Sequence, residues 1–406
     1  MSDRTQESLG ATFNKLWSAA MVSKFADGLV GAAVPLLAVT LTRDPVLISI
    51  QSNMMLLPWL IFAIPLGALV DRLNRRLAMI IVQATRVAIG ATIASLLITG
   101  TMSLWALLLL TFIFGVSEVV YDTATQSTIP SLLKGNQLER GNSRLQIADT
   151  VMQSFIGLPL GALLYATIAY SPFIGIALCY TVAIFLVGSI ASHALQNKRP
   201  ADAPKRETLR FEMKEGLSYL WRHKVLFRLV VTTGAIGFFY ALGQATLVLF
   251  LLDHLKVTEA SYGFVMLPLA VGALLGAFAS PRLSKRFGRS EALSFALPAA
   301  SLGLLLGGLA PNITWYMIAS FVHGFFIAQW NILLMSTYHV MIPNEIFGRI
   351  HGTRRTIVWG LMPIGGFIGG NIGKIDITLP LIVGGIGATA LAILAMRFVR
   401  TIPNEQ

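Results

Sequence analysis

The sequence predicts an all-α membrane protein in which twelve transmembrane helices form two pseudo-symmetric bundles of six. The first observation is the composition: 55% of the 406 residues are hydrophobic and 12% are charged, whereas soluble domains carry about 25% charged residues. The second is a series of twelve segments that are almost continuously apolar rather than alternating, which favours helices over a β-barrel. The third is an internal repeat: each half of the chain contains six such segments.

Each apolar segment is long enough to cross a bilayer, which takes about 20 residues in a helix. The segments lie at residues 16–41, 47–70, 77–99, 103–128, 145–169, 172–194, 225–252, 260–282, 290–309, 313–341, 346–371 and 378–399. They predict an N-terminal tail at 1–15, a first bundle at 16–194, a linker with a surface amphipathic helix at 195–224, a second bundle at 225–400 and a C-terminal tail at 401–406.

The charge distribution predicts the orientation of the helices. The net charge is +12, and one set of alternate loops contains only 3 of the 31 Lys and Arg residues, namely Arg43, Lys256 and Lys374. Because basic loops stay on the cytoplasmic side, we expect a multi-pass protein of the inner (cytoplasmic) membrane with both termini and the linker in the cytoplasm. Bases that flank apolar segments point to the lipid bilayer, and not to nucleic acid, as a partner. The single cysteine, Cys179, excludes an intrachain disulfide.

The turn between the second and third segments carries an unusual charge pattern. It runs from Gly67 to Arg76, and its one acid, Asp71, is followed by Arg72, Arg75 and Arg76. A carboxylate at the C-terminal end of a helix faces the negative end of the helix dipole, so it needs a partner elsewhere. We interpret the stretch as a clasp between moving parts. The alternative is a basic membrane flank, which accounts for the arginines but not for the acid.

Three acids lie deep inside apolar segments and are candidates for proton coupling: Asp27 and Glu118, midway along the first and fourth segments, and Asp122, one helical turn beyond Glu118. A charged side chain at the bilayer centre costs about 2.5–3.5 kcal/mol, or about 8–10 kcal/mol for three, so these acids must face water or each other. Two carboxylates one helical turn apart can hold and release a proton. The alternative is a static ion pair of Asp27 with Lys24 or Arg86, and the sequence assigns no partner to Arg86 itself.

Polar and aromatic side chains within the apolar segments are candidates for a substrate cavity. Amides and aromatic rings in an apolar cavity suit a bulky amphipathic or cationic solute. A single aromatic residue is more often ordinary packing. The candidates are Phe25, Gln126, Tyr240, Gln244, Gln329, Asn331 and Trp359. Four glycines of the eleventh segment also give two overlapping small-xxx-small faces for close helix packing; they are Gly365, Gly366, Gly369 and Gly370.

The whole chain resembles the major facilitator superfamily of transporters, and residues 67–76 resemble the signature between helices 2 and 3 of that family. Residues 129–132, 215–223 and 343–349 resemble the branch of drug:proton antiporters that includes macrolide-efflux pumps and the enterobactin exporter. The resemblance implies the major facilitator fold, with helices 1 and 4 lining a central cavity. It also implies that Asp71 latches onto the start of helix 11, where Asn344 and Glu345 stand.

The stretch Gly157-Leu158-Pro159-Leu160-Gly161 resembles part of the antiporter signature, and its proline permits a kink, so Gly157, Pro159 and Gly161 are candidate hinge residues. The glycines at 369–374 do not have the spacing of a phosphate-binding loop. Because the sequence contains no nucleotide-binding motif, we expect transport driven by an ion gradient, with H⁺ favoured over Na⁺, and we expect no cofactor, no metal and no enzymatic activity.

We accordingly expect a monomeric secondary transporter, a proton-coupled exporter of an amphipathic small molecule such as an antibiotic or a siderophore-like metabolite. Import of a nutrient by symport is the alternative transport reading. A non-transporting membrane sensor or scaffold on the same fold is the alternative from another class, and it predicts that Asp27, Glu118 and Asp122 can be neutralised without effect.

Overall fold

The computed structural model describes residues 9–70, 74–133, 136–191, 217–342 and 344–402. Within them, side-chain surroundings are described everywhere except at residues 63–65, 67–70, 130, 136, 139, 344–349, 351–352 and 355. The described part of the chain is built of helices, without a β-strand. The all-α prediction is therefore confirmed.

Twelve helices, here α1 to α12, follow the twelve predicted segments. They are α1 (Ala11–Leu41), α2 in two pieces (Pro45–Met54 and Leu57–Val70), α3 (Arg75–Ile98), α4 (Leu104–Leu132), α5 (Asn136–Ala148, the π-helical stretch Asp149–Gly157, and Leu158–Thr167), α6 (Ser171–Gly188), α7 (Lys224–Gln244, then Leu247–Leu249 and the π-helical turn Phe250–His254), α8 in two pieces (Glu259–Val265 and Leu267–Phe287), α9 (Arg289–Gly308), α10 (Ile313–Met341), α11 (Asn344–Gly373) and α12 (Leu379–Val399).

Eleven of these described helices are by themselves long and apolar enough to cross a membrane. The exception is α2, because its break leaves pieces of 10 and 14 residues. Together the two pieces extend over residues 45–70, which contain the predicted segment 47–70. The count of twelve segments thus holds, with one crossing divided between two shorter helices.

Prolines explain the irregularities of three helices. A proline lacks the backbone N–H, and its ring clashes with the carbonyl four residues earlier. The break in α2 comes just before Pro58, the break in α8 just before Pro268, and the π-helical stretch of α5 just before Pro159. Because α2 and α8 are the second helices of the two halves, their matching breaks agree with the internal repeat predicted from the sequence.

Several helix starts are fixed by side chains that accept hydrogen bonds from otherwise unpaired backbone N–H groups, as helix caps do. Asp44 caps α2 through Val46 N at 2.8 Å. Asn74 caps α3 through Arg76 N at 3.0 Å. Asn312 caps α10 through Trp315 N at 3.1 Å. These caps begin the helices just outside their apolar stretches, where the chain turns.

The observed helices extend beyond several predicted boundaries. α1 begins at Ala11, so the predicted tail at 1–15 ends five residues too late, and α5 begins at Asn136 rather than at residue 145. The added stretch of α5, Asn136–Ala148, is polar and amphipathic. Hydropathy marks only the part of a helix that lies in lipid, so it does not show these polar extensions. Of the predicted linker, residues 217–222 are helical and residues 195–216 lie outside the described residues.

The chain forms two compact units. Unit 1 comprises Met1–Val34, Phe62–Met102 and Ile113–Pro204. Unit 2 comprises Pro35–Ile61, Ser103–Phe112 and Lys205–Gln406. Unit 2 therefore combines the second half of the chain with the C-terminal end of α1, the first part of α2 and the N-terminal end of α4.

In unit 2, the loop between α1 and α2 is held by two ion pairs. Arg43 Nη1 donates a hydrogen bond to Asp253 Oδ1. The neighbouring residue, Asp44, has its Oδ2 3.7 Å from Lys374 Nζ. Arg43 and Lys374 are two of the three bases that the sequence places on the non-cytoplasmic side, and each has an acid as its partner.

The glycines of α11 give this helix two closely packed faces, as their spacing predicts. A Cβ atom at Gly365 would meet the carbonyl of Phe238 on α7, whereas one at Gly366 would meet Asn53 on α2. The same alternation holds one turn later, where Gly369 faces Leu242 of α7 and Gly370 faces Ser49 of α2. Larger side chains at either face would force the helices apart.

Candidate functional site

A cluster of charged side chains lies in unit 1, close to the middle of α1, α3 and α4. Two acids, Asp27 and Glu118, contact two bases, Lys24 and Arg86. Charges at this depth cannot face lipid without a cost of about 2.5–3.5 kcal/mol each. The four side chains instead face one another, so each charge lies beside opposite charges.

Arg86 of α3 is the fixed cation of this cluster. Its side chain is fully buried. The guanidinium donates to Glu118 Oε2, to Ser117 Oγ at 3.2 Å and to Asp27 Oδ1 at 3.5 Å. The planar fork of a guanidinium suits such divergent acceptors better than an ammonium does.

Aromatic rings enclose the same guanidinium. The Cζ atom of Arg86 lies 4.9 Å from the ring centroid of Phe114, 5.1 Å from that of Tyr121 and 5.3 Å from that of Tyr180. The faces of aromatic rings attract cations, and more strongly where water is excluded. The rings therefore stabilise the buried charge and fix its position between α4 and α6.

Asp27 of α1 is the most buried acid of the cluster, with 4% of its side chain exposed. Its Oδ1 accepts a hydrogen bond from Tyr180 OH at 2.6 Å and the bond from Arg86. Its Oδ2 is buried and has no hydrogen-bond partner among the described residues. The Lys24 ammonium lies 3.1 Å from this oxygen, as an ion pair without hydrogen-bond geometry.

Lys24 is the more exposed of the two cations, and it contacts three acids. Its Nζ lies 3.1 Å from Asp27 Oδ2, 3.4 Å from Glu118 Oε1 and 3.3 Å from Asp149 Oδ1. Its side chain is 22% exposed, and the side chain of Asp149, the first residue of the π-helical stretch in α5, is 40% exposed. The cluster is thus closed at Asp27 and Arg86 and open at Asp149.

The arrangement balances charge and can respond to one added charge. Lys24, Asp27, Arg86 and Glu118 together carry no net charge. At an effective dielectric constant of about 20, one more unit charge about 4 Å from a like charge costs about 4 kcal/mol. An added proton or bound cation therefore competes with the positive charges that are already in this cluster.

α1 and α5 cross very closely beside the cluster. A Cβ atom at Gly157 would lie 2.6 Å from the carbonyl oxygen of Phe25, and one at Gly161 would lie 2.9 Å from the Cα atom of Leu29. Pro159 is buried between these two glycines. The three predicted hinge residues thus lie at a helix crossing next to a π-helical stretch, a feature frequent at functional sites.

The remaining predicted residues of the first half are placed as follows. Asp122 accepts a hydrogen bond from Gln126 Nε2 at 2.9 Å, and Gln126 is exposed. The structure therefore pairs these two with each other, one turn beyond Glu118. Arg75 is buried at the start of α3.

Arg76 Nη2 donates to the carbonyl of Gly188 at the end of α6. Gly67 lies near the end of the second piece of α2, where only the backbone is described. Asp71 and Arg72 lie outside the described residues, so the clasp remains a prediction.

In the second half, Tyr240 and Gln244 of α7 belong to a polar group that includes a histidine not singled out from the sequence. Gln244 Nε2 donates to Tyr240 OH at 2.9 Å, and the Tyr240 ring stacks on His323 with centroids 5.5 Å apart. His323 Nδ1 donates to the carbonyl of Ala300 at 2.8 Å. Gln244 and His323 line a cavity of about 30 Å³, large enough for a water molecule.

The other predicted cavity residues do not join this group. Gln329 is 3% exposed, and its Nε2 has no hydrogen-bond partner within the described ranges. Asn331 is exposed on α10. Trp359 of α11 contacts Trp59 of α2, with ring centroids 5.3 Å apart. Trp359 therefore packs where α2 meets α11.

Four residues of the charged cluster were not predicted as functional, and two of them, Lys24 and Arg86, entered the sequence analysis only as static ion-pair partners of Asp27. Arg86 carried a signal, because a base in the middle of an apolar segment must find compensation just as an acid must. Asp149 was not visible as a mid-membrane acid, since it follows the polar start of α5. Tyr180 carried no signal beyond a hydroxyl in an apolar segment.

Comparison with known proteins gives a consistent result. The family described as Major Facilitator Superfamily matches residues 16–369. The chain is 24% identical over 365 residues to macrolide efflux protein A of Streptococcus pyogenes, covering 87% of each chain. It is 23% identical over 358 residues to the enterobactin exporter EntS of Escherichia coli O1:K1 / APEC, covering 84% of this chain and 80% of the exporter.

Among solved structures, a bacterial homologue of the iron transporter ferroportin in an inward-facing state has a similar fold. Its TM-score is 0.76 at 14% identity, with coverage of 97% of this chain and 100% of that chain. These similarities confirm the resemblance to the macrolide-efflux and enterobactin-exporter branch that the sequence motifs indicate.

Proposed function

Since the chain belongs to the Major Facilitator Superfamily, we propose that this transporter is a proton-coupled exporter of an amphipathic small molecule that works by alternating access. The named relatives are a macrolide efflux protein and an enterobactin exporter, both of which move a solute outward. These two relatives, at 23–24% identity, support export as the direction of transport.

The observation that carries the proposal is the charged cluster of Lys24, Asp27, Arg86 and Glu118 in the middle of three helices. A protein that only anchors or senses has no need of four charges at this depth, since each is costly. Glu118 is the best candidate for the proton carrier because its side chain is 18% exposed, whereas that of Asp27 is 4% exposed. Asp27 is more enclosed and is bonded to Tyr180.

The cluster supports exchange because it accepts one positive charge at a time. When Glu118 binds a proton, the bases lose one of their two counter-charges, and a cationic or strongly polarised cargo is repelled. When the proton leaves, the carboxylate again attracts a positive group. Proton and cargo then bind in alternation, which couples inward proton movement to outward cargo movement.

Reconstitution in proteoliposomes with an imposed pH gradient tests the proposal. Glu118→Gln should abolish gradient-driven uptake into the vesicles, because the amide can neither take up nor release a proton. Glu291→Gln is the matched control, since Glu291 pairs with Arg400 at an exposed position outside the cluster.

Unchanged gradient-driven transport by the Glu118→Gln variant would refute proton coupling at this residue and favour a static ion pair. The same vesicles give the direction of transport, which separates export from import by symport. Absence of both driven transport and exchange in the wild type, with a panel of macrolides and catecholate siderophores, would favour a sensor or scaffold.

A further inference from the structure

We propose that Lys24 is a built-in competitor of the cargo: its ammonium occupies the acceptor oxygens of Asp27, Glu118 and Asp149, and a single organic cation displaces it on binding. The inference rests on the proposed function in one respect, namely that cargo reaches this cluster. It assigns Lys24 as the residue that sets specificity for charge, and Asp149 as the first acid that the cargo meets.

Exposure and surroundings distinguish Lys24 from the other base, since the Lys24 side chain is 22% exposed and that of Arg86 is fully buried. The three ion pairs of Lys24 measure 3.1, 3.4 and 3.3 Å, longer than the 2.7–2.9 Å typical of a charge-assisted hydrogen bond. One ammonium is thus shared loosely among three carboxylates. Arg86, by contrast, is fully buried, donates to three side chains and is enclosed by rings. Of the two bases, Lys24 is the one that can leave.

If Lys24 moved away, it would expose Asp27 Oδ2 as an acceptor for another cation. Asp27 is 4% exposed, and its Oδ2 lacks a hydrogen-bond donor within the described part of the chain. A buried carboxylate oxygen without a donor is costly unless a cation lies nearby. The oxygen is therefore available to any positive group that takes the place of the Lys24 ammonium.

The exposure of the cluster gives the direction of approach. Side-chain exposure rises from 4% at Asp27 to 18% at Glu118, 22% at Lys24 and 40% at Asp149. A cation that enters from the Asp149 side meets that carboxylate first and Asp27 last. Lys24 has a flexible four-carbon stem, so its head group can move outward into water while the stem remains packed.

The charges fix the class of ligand as a monocation. With Asp149 included, the cluster carries three acids and two bases, for a net charge of −1. Without the Lys24 ammonium in place the charge is −2, and one singly charged organic cation restores the original value. Between transport cycles, Lys24 returns and keeps the acids compensated in the empty transporter.

Binding to the purified full-length protein in detergent tests the inference without any gradient. The probes are tetraphenylphosphonium and tetraphenylborate, which have the same size and shape but opposite charge. Lys24→Met should bind tetraphenylphosphonium at least ten-fold more tightly than the wild type and tetraphenylborate no more tightly. Lys24→Met/Asp149→Asn should lose most of that gain. Lys15→Met is the control, because Lys15 lies on the same helix and bonds only the carbonyl of Ser189 among the described contacts.

An unchanged affinity for tetraphenylphosphonium in folded Lys24→Met, or an equal change for both probes, would overturn the inference. If Lys24→Met does not fold, Asp149→Asn in the wild-type background serves instead: it should weaken cation binding at least three-fold, and an unchanged affinity overturns the proposal. Failure of proton coupling would appear in the transport assay with Glu118→Gln and leave these binding constants unaffected, so the two proposals can fail separately.

Discussion

Replacement of Arg86 by methionine is expected to be the most damaging neutralisation in the charged cluster. The side chain is fully buried, and its loss removes one of the two basic partners of Glu118 and one of the two basic partners of Asp27. Removal of one member of a buried ion pair costs about 3–5 kcal/mol, because the other charge is left uncompensated. Arg86→Met should therefore lower the free energy of unfolding by about 3 kcal/mol or more.

A double-mutant cycle separates the ion pair from simple packing. Glu118→Gln removes the orphaned charge, so the double variant Arg86→Met/Glu118→Gln should be more stable than the sum of the single effects predicts, by about 1–3 kcal/mol. The measurement is reversible unfolding by SDS in mixed micelles. Arg400→Met with Glu291→Gln is the matched cycle, since that pair is exposed and worth about 0–1 kcal/mol.

Additive effects of Arg86→Met and Glu118→Gln would refute the reasoning, because they would mean that the two side chains do not compensate each other. An Arg86→Met variant no less stable than Arg400→Met would refute the claim that burial sets the cost. Arg86→Lys gives a further check: it keeps the charge but loses the fork, so it should lie between the wild type and Arg86→Met.

Two further predictions concern the helix ends and the helix crossing. Asp253→Asn breaks the ion pair with Arg43, so it should increase the labelling, by a membrane-impermeant reagent, of cysteines introduced near the loop between α1 and α2. The charge swap Arg43→Asp/Asp253→Arg should restore the wild-type level of labelling. A swap variant that is labelled as strongly as Asp253→Asn would count against the pair. Gly28→Ala should lower the free energy of unfolding by about 1–3 kcal/mol, because the added Cβ atom would lie 2.8 Å from the Cα atom of Gly157. Gly31→Ala is the control: the nearest atom to its Cβ lies at 3.7 Å, so it should leave the stability unchanged. Unfolding by SDS in mixed micelles measures both variants.

The sequence was sufficient for the fold class because hydropathy is a local property. A segment such as 313–341 is apolar over its whole length, and the helix observed there has the same bounds. The small-xxx-small spacing of the glycines in α11 likewise predicted close helix packing on two faces. Polar extensions such as Asn136–Ala148 were missed, since they lie outside the part of the helix to which hydropathy is sensitive.

The sequence also shows which charged residues lie inside apolar segments, and the free-energy cost of a charge in lipid singled out Asp27 and Glu118 among them. It required that they be compensated, and it named Lys24 and Arg86 as alternative ion-pair partners of Asp27; the structure shows Asp27 paired with both. It named no partner for Glu118, which also contacts Arg86, and it did not consider Asp149. The sequence placed Asp122 with Glu118, whereas the structure bonds Asp122 to Gln126.

What the sequence by itself determined is that charged groups lie in the middle of several membrane helices and must find opposite charges. Which charges meet was decided only by the tertiary structure. Arg86 and Asp27 are 59 residues apart, and Tyr180 and Asp27 are 153 residues apart. They meet because each helix is rotated and tilted by its packing, as where the glycines of α5 allow α1 to approach. Such packing depends on many distant side chains at once, and no local pattern of residues records it.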